Sequence, residues 1–287
     1  MAQGSWEIAE PQKFAFDEPV SSLRVRIVNG TVNVVGTDGS AARLEVSLIE
    51  GAPLRVTHEG GALSVAYDDL PWKGFLQRVG PKRWRRNAVV SLAVPSGTKV
   101  EIGTVGATTT VSGIDGRTVI RGVSGSTTLV GLSGSVRTET VSGSVEGQAV
   151  TGDLRFNSVS GDLTVIAAGS SVRADSVSGD MIVDLDPAGD DPARGATDVR
   201  LASVSGEIAI RLPHPADAVV EADTTSGTVS NAFEDLRVGG DWGTKRITGR
   251  LGAGTGTLKA TTVSGAIALL RRPQSEAHEE GYGEGYG

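Results

Sequence analysis

Between Val105 and Val183 a glycine returns every nine residues, and this period limits what the backbone can build. The slots are Gly116, Gly125, Gly134, Gly143, Gly152 and Gly161, with Gly179 two steps further on. Ahead of the slots, by two residues, stand Val105, Ile114, Val123, Leu132, Val141, Val150, Val159 and Val177. Two and four residues after them come pairs such as Thr118 and Ile120, Leu154 and Phe156, Leu163 and Val165, and Met181 and Val183. Apolar residues or threonines at even offsets share one face of a strand. The glycine supplies a bend where a Cβ is costly. A nine-residue unit holds one short strand, which cannot bury its own face, so successive units must stack into a solenoid.

The fuller motif Val-Ser-Gly recurs every eighteen residues, at Gly125, Gly143, Gly161 and Gly179, so one coil is eighteen residues in two unequal halves. The pattern returns at Gly206, Gly227 and Gly265. The chain therefore reads as all-β, a β-solenoid whose coils lie one strand spacing, about 4.8 Å, apart. This reading makes the ten glycines structural turns. It predicts a left-handed bend at Gly143 and places Val141 in the stacked core.

Residues 1–103 read as antiparallel strands that cap the solenoid, because an open coil leaves unpaired backbone groups and exposed core. Phe14 and Phe16 alternate, as do Leu23, Val25 and Ile27, and Leu44, Val46 and Leu48. Val28 to Val34 already matches the later pattern, so the coil begins early. Residues 71–87 break it with Trp72, Lys73, Phe75, Arg78, Lys82, Arg83, Trp84, Arg85 and Arg86 and no carboxylate. Basic and aromatic side chains together suit phosphate contact with base stacking, or an acidic membrane surface. The same stretch also reads as a loop whose aromatics cover the cap and whose cations are solvated. Residues 104–270 form the solenoid proper. Residues 271–287 lose all apolar periodicity and read as a disordered acidic Gly/Tyr tail, with Tyr282 and Tyr286 as a candidate recognition motif.

Chemistry is sparse. The forty glycines sit at fixed register among Val, Leu and Ile, which excludes collagen. With no cysteine there is neither disulfide nor thiolate. His58, His214 and His278 lack metal-ligand spacing, and no Gly-x-Ser-x-Gly elbow occurs. The serines beside the glycines read as turn residues satisfying local backbone groups. Residues 251–258 are glycine-rich but lack the Gly-Lys-Ser/Thr of a phosphate loop. The aspartates at 184, 186, 190 and 191 lie in an insertion that matches neither an EF-hand nor a calcium-binding β-roll. No catalytic, cofactor or metal residues are assigned. Asp153, Asp162, Asp175, Asp180, Arg155 and Arg173 would line up between coils, the starting point for a glycan-active alternative. Stacked equivalents, however, make a charge ladder on a solvent face, whereas an active site joins unlike groups at one place.

The strand ending Val94-Pro95-Ser96-Gly97-Thr98, followed by Val-Ser-Gly-Ser and Val-Ser-Gly-Asp coils, resembles the bacterial β-solenoid family labelled "putative adhesin", whose function is unknown. The likeness spans roughly residues 20–270 and implies a β-helix of a kind often encoded in envelope-stress settings. More distantly the chain is similar to bactofilin-like β-helices, which self-assemble end on end. The expected function is a non-catalytic scaffold or interaction protein with a protein partner or self-association. Anionic lipid or nucleic acid is the alternative partner, through residues 71–87, and no small-molecule substrate is expected. A formal charge of −7 argues against whole-surface attraction to polyanions and leaves room for a local patch. The N-terminus has no basic or apolar region of a signal peptide, and no apolar run is long enough to cross a bilayer. The expected location is cytoplasmic, or peripheral at the membrane.

Overall fold

A computed structural model of the chain describes residues 4–67, 86–169, 171–185, 197–241 and 243–272, with the backbone alone at 167 and 168. The described residues hold twenty-six strands and no helix. The entry strands are β1 (Gly4–Ile8), β2 (Gln12–Phe16), β3 (Ser22–Ile27), β4 (Asn29–Thr37), β5 (Ala42–Glu50), β6 (Leu54–Glu59), β7 (Ala62–Ala66) and β8 (Asn87–Pro95). The coils follow as β9 (Lys99–Thr104), β10 (Thr108–Ser112), β11 (Thr118–Gly122), β12 (Thr127–Leu132), β13 (Val136–Glu139), β14 (Val145–Val150), β15 (Leu154–Asn157) and β16 (Leu163–Ala168). They continue as β17 (Ser171–Asp175), β18 (Met181–Leu185), β19 (Asp198–Ala202) and β20 (Ile208–Leu212). The closing strands are β21 (Ala218–Thr224), β22 (Val229–Asn231), β23 (Leu236–Gly239), β24 (Lys245–Leu251), β25 (Thr257–Thr262) and β26 (Ile267–Arg271).

Two sheets face each other. The first runs β1, β6, β7, β3, β9, β11, β13, β15, β17, β19, β25, β21, β24, β23, and the second β2, β5, β8, β4, β10, β12, β14, β16, β18, β20, β26, β22. Each coil gives one strand to each sheet, and from β7 and β8 to β21 and β22 the coil strands pair in parallel. Alternation buries one side chain in two. In the first sheet Val136, Leu154, Val172, Val199 and Leu258 stack in register, and in the second Val145, Leu163, Met181, Ile208 and Ile267 do the same. All ten are at most 2% exposed. Each such side chain contributes roughly 1.5–3 kcal/mol by leaving water.

Sequence order and stacking order part company at both ends. The coil β7–β8 lies outside β3–β4, while β9–β10 lies inside it. The last coil, β25–β26, is inserted between β19–β20 and β21–β22. Antiparallel strands extend both sheets at one end, β1 and β6 on the first and β2 and β5 on the second, and the first sheet alone at the other, through β24 and β23, where the second sheet ends in β22. At the first end Trp6, Phe14, Phe16 and His58 pack ring against ring, with centroids 5.4–6.3 Å apart. At the other, Phe233 and Leu236 are buried and the Arg271 guanidinium lies 5.4 Å over the Phe233 ring.

The two corners of a coil are built differently. Where the first sheet passes to the second, a Ser or Thr stands three residues before the glycine and accepts its N–H: Thr140 from Gly143 at 2.9 Å, Ser158 from Gly161 at 2.7 Å, Ser176 from Gly179 at 2.9 Å. Ser203, Thr224 and Thr262 repeat the bond. The serine next to the glycine donates to the valine carbonyl one coil below, as Ser160 does to Val141 at 3.3 Å. At the first two coils the valine of this corner is turned in, Val105 buried and Val123 packed against the core, but from the third coil on strand alternation carries through and the valine points out. Val141, Val159, Val177, Val204 and Val263 are 38–50% exposed, which corrects the expectation that Val141 is core. At the opposite corner a residue with left-handed backbone, Gly113 (φ 64), Gly131 (φ 60) or Ala149 (φ 53), reverses the alternation. Ile114, Leu132 and Val150 are thereby turned fully inward, each at 0% exposure.

The slot glycines themselves are needed for closeness. Of the ten, only Gly125 has a left-handed φ, so the bend predicted at Gly143 is not left-handed. A Cβ on Gly143 meets the carbonyl oxygen of Gly125, one on Gly161 that of Gly143, one on Gly179 that of Gly161, and one on Gly206 that of Gly179. Gly265 and Gly227 continue the column in stacking order. The two requirements separate experimentally. Gly161→Ala is expected to cost about 1–3 kcal/mol through crowding. Gly131→Val, where nothing lies within 4 Å of the new Cβ, should cost about 1–2 kcal/mol through backbone strain alone. Chemical denaturation measures both. In the same assay Val141→Asp should cost no more than about 0.5 kcal/mol, and Val150→Asp about 4 kcal/mol or more.

Candidate interaction surface

The outer face of the first sheet is formed by the residues between the core positions, and register stacks these too. Arg137 pairs with Arg155, Arg155 with Arg173, Arg173 with Arg200, and Arg200 with Lys259. Five cations thus stand in single file over five neighbouring strands, about 19 Å at the ordinary strand spacing. Beyond Lys259 the row continues in Glu221, and before Arg137 in Val119 and Glu101.

Residues that are polar except for Ala202 flank the file on both sides. On one lie Ser135, Asp153, Ser171, Asp198 and Thr257; on the other Glu139, Asn157, Asp175, Ala202 and Thr261. Four of the five cations lean on carboxylates. Arg137 Nη2 is 2.6 Å from Glu139 Oε1, Arg173 Nε 3.8 Å from Asp175 Oδ2, Arg200 Nε 3.3 Å from Asp198 Oδ1, and Lys259 Nζ 3.2 Å from Glu221 Oε2. Among the described residues Arg155 makes no ion pair. On either side of it the surface is hollowed, by 240 Å³ beside Arg117, Ser135 and Asp153 and by 190 Å³ beside Asn157, Arg173 and Asp175.

Glu139 anchors the start of the file. It also takes Arg121 Nε at 3.0 Å, and Arg121 Nη1 reaches Glu101 Oε1 at 2.8 Å. Partial burial pushes the Glu139 carboxyl up, but the bonds from Arg137 and Arg121 outweigh it and hold the group below the ordinary glutamate value. The outer face of the second sheet is different in kind. Its matching row, Thr110, Thr128, Glu146, Thr164, Ile182 and Ala209, carries one charge.

The residues singled out from sequence are distributed as follows. Trp72, Lys73, Arg78, Lys82, Arg83, Trp84, Arg85, Tyr282 and Tyr286 lie outside the described residues. Arg86 is described: its guanidinium sits 4.9 Å over the Tyr67 ring, and its carbonyl accepts from Asn29 N and Nδ2, both at 3.2 Å. The carboxylates and arginines of the glycan-active alternative separate into different columns. Arg155 and Arg173 share the central file, and Asp153 and Asp175 stand on its opposite flanks. Asp162 and Asp180 belong to the valine corner, where each bonds a backbone N–H of the next coil, Asp180 N at 2.9 Å and Glu207 N at 2.8 Å. His58 is buried against Phe16. Among the described residues no three His, Cys, Asp or Glu side chains gather as metal ligands, and no helix is long and apolar enough to cross a membrane.

The full cation file was not expected from sequence, although part of its signal is there. Arg137, Arg155 and Arg173 recur every eighteen residues. Arg200 is displaced by the insertion before it, and Lys259 by the insertion of the last coil.

A family profile matches residues 20–270 and is that of the Toastrack DUF4097 domain. The chain belongs to this family. No curated protein matches it. Among solved structures, a "putative adhesin" from Bacteroides fragilis NCTC 9343 is 12% identical, with 92% of this chain and 98% of that one covered and a TM-score of 0.44. A "putative cell adhesion protein" from Clostridium sporogenes ATCC 15579 is 13% identical, covering 92% and 100%, with a TM-score of 0.28. A "putative lipid binding protein" from Parabacteroides distasonis ATCC 8503 is 12% identical, covering 92% and 98%, with a TM-score of 0.36. At these scores none of the three bears on what the Toastrack chain described here binds.

Because the folded carboxyl of Glu139 is held low, its contribution to stability is complete above the ordinary glutamate pKa of 4.5 and is lost as pH falls through the lower folded value. Glu139→Gln should therefore lower the melting temperature near pH 7, and the gap from the wild type should close on acidification below pH 4.5. Thermal melts across pH check this.

Proposed function

We propose that this Toastrack chain is a non-catalytic interaction scaffold, a rigid β-solenoid that presents the outer face of its first sheet to a partner. One observation carries the reading: five cations repeat in register along that face, and the unlike groups that chemistry requires are spread over separate columns. A binding surface gains from repetition, because each coil adds the same contact. A catalytic centre needs an acid, a base or nucleophile, and a stabiliser converging on one reacting atom. The antiparallel strands that extend both sheets at the first end, and the first sheet at the second, support a capped particle over an end-to-end polymer, since they replace the parallel edges on which another coil would pair.

Two measurements test this. In sedimentation velocity the full chain should run as one elongated species over a range of protein and salt concentrations; pelleting polymer would turn the reading toward self-assembly. Incubated with acidic and neutral polysaccharides, the purified chain should release no shortened products. Product formation that disappears in Asp153→Asn or Asp175→Asn would replace the scaffold with an enzyme.

A further inference from the structure

We infer that the file Arg137, Arg155, Arg173, Arg200 and Lys259 binds an extended acidic glycan with a carboxylate on each sugar. The inference deepens the scaffold reading and rests on it. Three features of the face select this ligand class.

The first is single file. A planar anionic surface such as a membrane would meet the flanking carboxylates, Asp153 and Asp198 on one side and Glu139 and Asp175 on the other, together with the cations. A narrow polymer laid along the file meets the cations in its centre. The second is spacing. The cations repeat at about 4.8 Å, so an extended polymer laid along the file has a cation within reach wherever along its length a carboxylate turns toward the face. Guanidinium groups suit them, because their planar fork matches a carboxylate in two hydrogen bonds. The third is the flanks. Ser, Thr, Asn and carboxylate side chains on both sides are acceptors, or mixed donors and acceptors, placed to meet ring hydroxyls. A phosphodiester strand offers few hydroxyls to them. Among the described residues the outer rows of this face also carry no aromatic ring on which a base would stack, the usual device for single-stranded nucleic acid.

Arg155 is the expected centre. It has no ion-pair partner among the described residues, and both hollows open beside it. Beside Arg155, Arg173 holds the exposed Asp175 at 3.8 Å, a bond that contributes little and exchanges readily for a ligand carboxylate.

The test is binding of a fluorescent oligogalacturonate to the full chain by anisotropy at low salt. Arg155→Gln/Arg173→Gln should weaken binding by about tenfold, and Arg43→Gln on the second sheet by less than about twofold. Added salt should weaken wild-type binding steeply. Melts of the double variant establish that it is folded, and its melting temperature should match or exceed that of the wild type. Absence of binding overturns the inference, as does an equal loss in the Arg43 variant. Tighter binding to single-stranded DNA of equal charge, or to phosphatidylglycerol vesicles, overturns it in favour of nucleic acid or lipid. These outcomes leave the scaffold reading in place; cleavage of the oligogalacturonate would remove that reading while confirming the ligand.

Discussion

The solenoid depends on how closely one coil can approach the next at its corners. In the flat parts of a coil the distance is set by backbone hydrogen bonds, but at a corner the chain turns and a side chain would point into the coil below. The glycine columns remove that side chain. Gly143 lies on the Gly125 carbonyl, Gly161 on that of Gly143 and Gly179 on that of Gly161, and the column continues through Gly206, Gly265 and Gly227. The coils can therefore stack at strand spacing through the bends as well as along the strands. The serine and threonine hydroxyls then satisfy the backbone groups that the turn frees, which is the physical content of the repeated Ser/Thr-Val-Ser-Gly motif.

Close stacking has a consequence for the surface. Once coils are in register, a residue type repeated every eighteen positions becomes a continuous column, inside or outside. Leu154 and its equivalents become core by this route, and Arg155 and its equivalents become a file of charge. The valines of one corner become an exposed ridge for the same reason, since alternation through Thr140 leaves Val141 on the side of Glu139. A helix-based scaffold displays a repeat along a winding stripe. Here the repeat is straight, and both sheet faces acquire uniform and different characters.

The period, the strands and the all-β class were legible in the sequence because a fixed nine-residue period together with two-residue alternation leaves a stack of short strands as the structure that buries one face. The inward or outward direction of the corner residues was less so. All but Val105 stand two residues before a glycine, and what separates them is the residue one place earlier. Ser or Thr there, as at Ser158, exposes the valine where its hydroxyl accepts from the slot glycine; Val105 follows Thr104 but precedes Ala107 in place of that glycine, and it is buried. Gly113, Gly131 or Ala149 there adopts left-handed backbone and buries the next residue. Two of these three are extra glycines and could have served as a signal; Ala149 could not. The order of the end coils was hidden for another reason. A coil strand offers the same backbone groups to either neighbour, and nothing local in β25 records that it pairs with β19 on one side and β21 on the other.

The electrostatics of the cation file work against folding. Neighbouring unit charges about 4.8 Å apart repel by roughly 1 kcal/mol each in water. Carboxylates on the flanks offset part of this, yet they are exposed and contribute modestly. At Arg155 no such offset is found among the described residues. A threonine or glutamine at each of these positions would keep the strand and remove the repulsion, as the second sheet shows with Thr110, Thr128 and Thr164 on the same kind of strand. Stability alone would favour that outcome on both faces. The first sheet carries cations instead, and an anion laid along them, as proposed, would reverse the sign of the interaction: each like-charge neighbour that weakens the free scaffold would become a second hold on the same ligand.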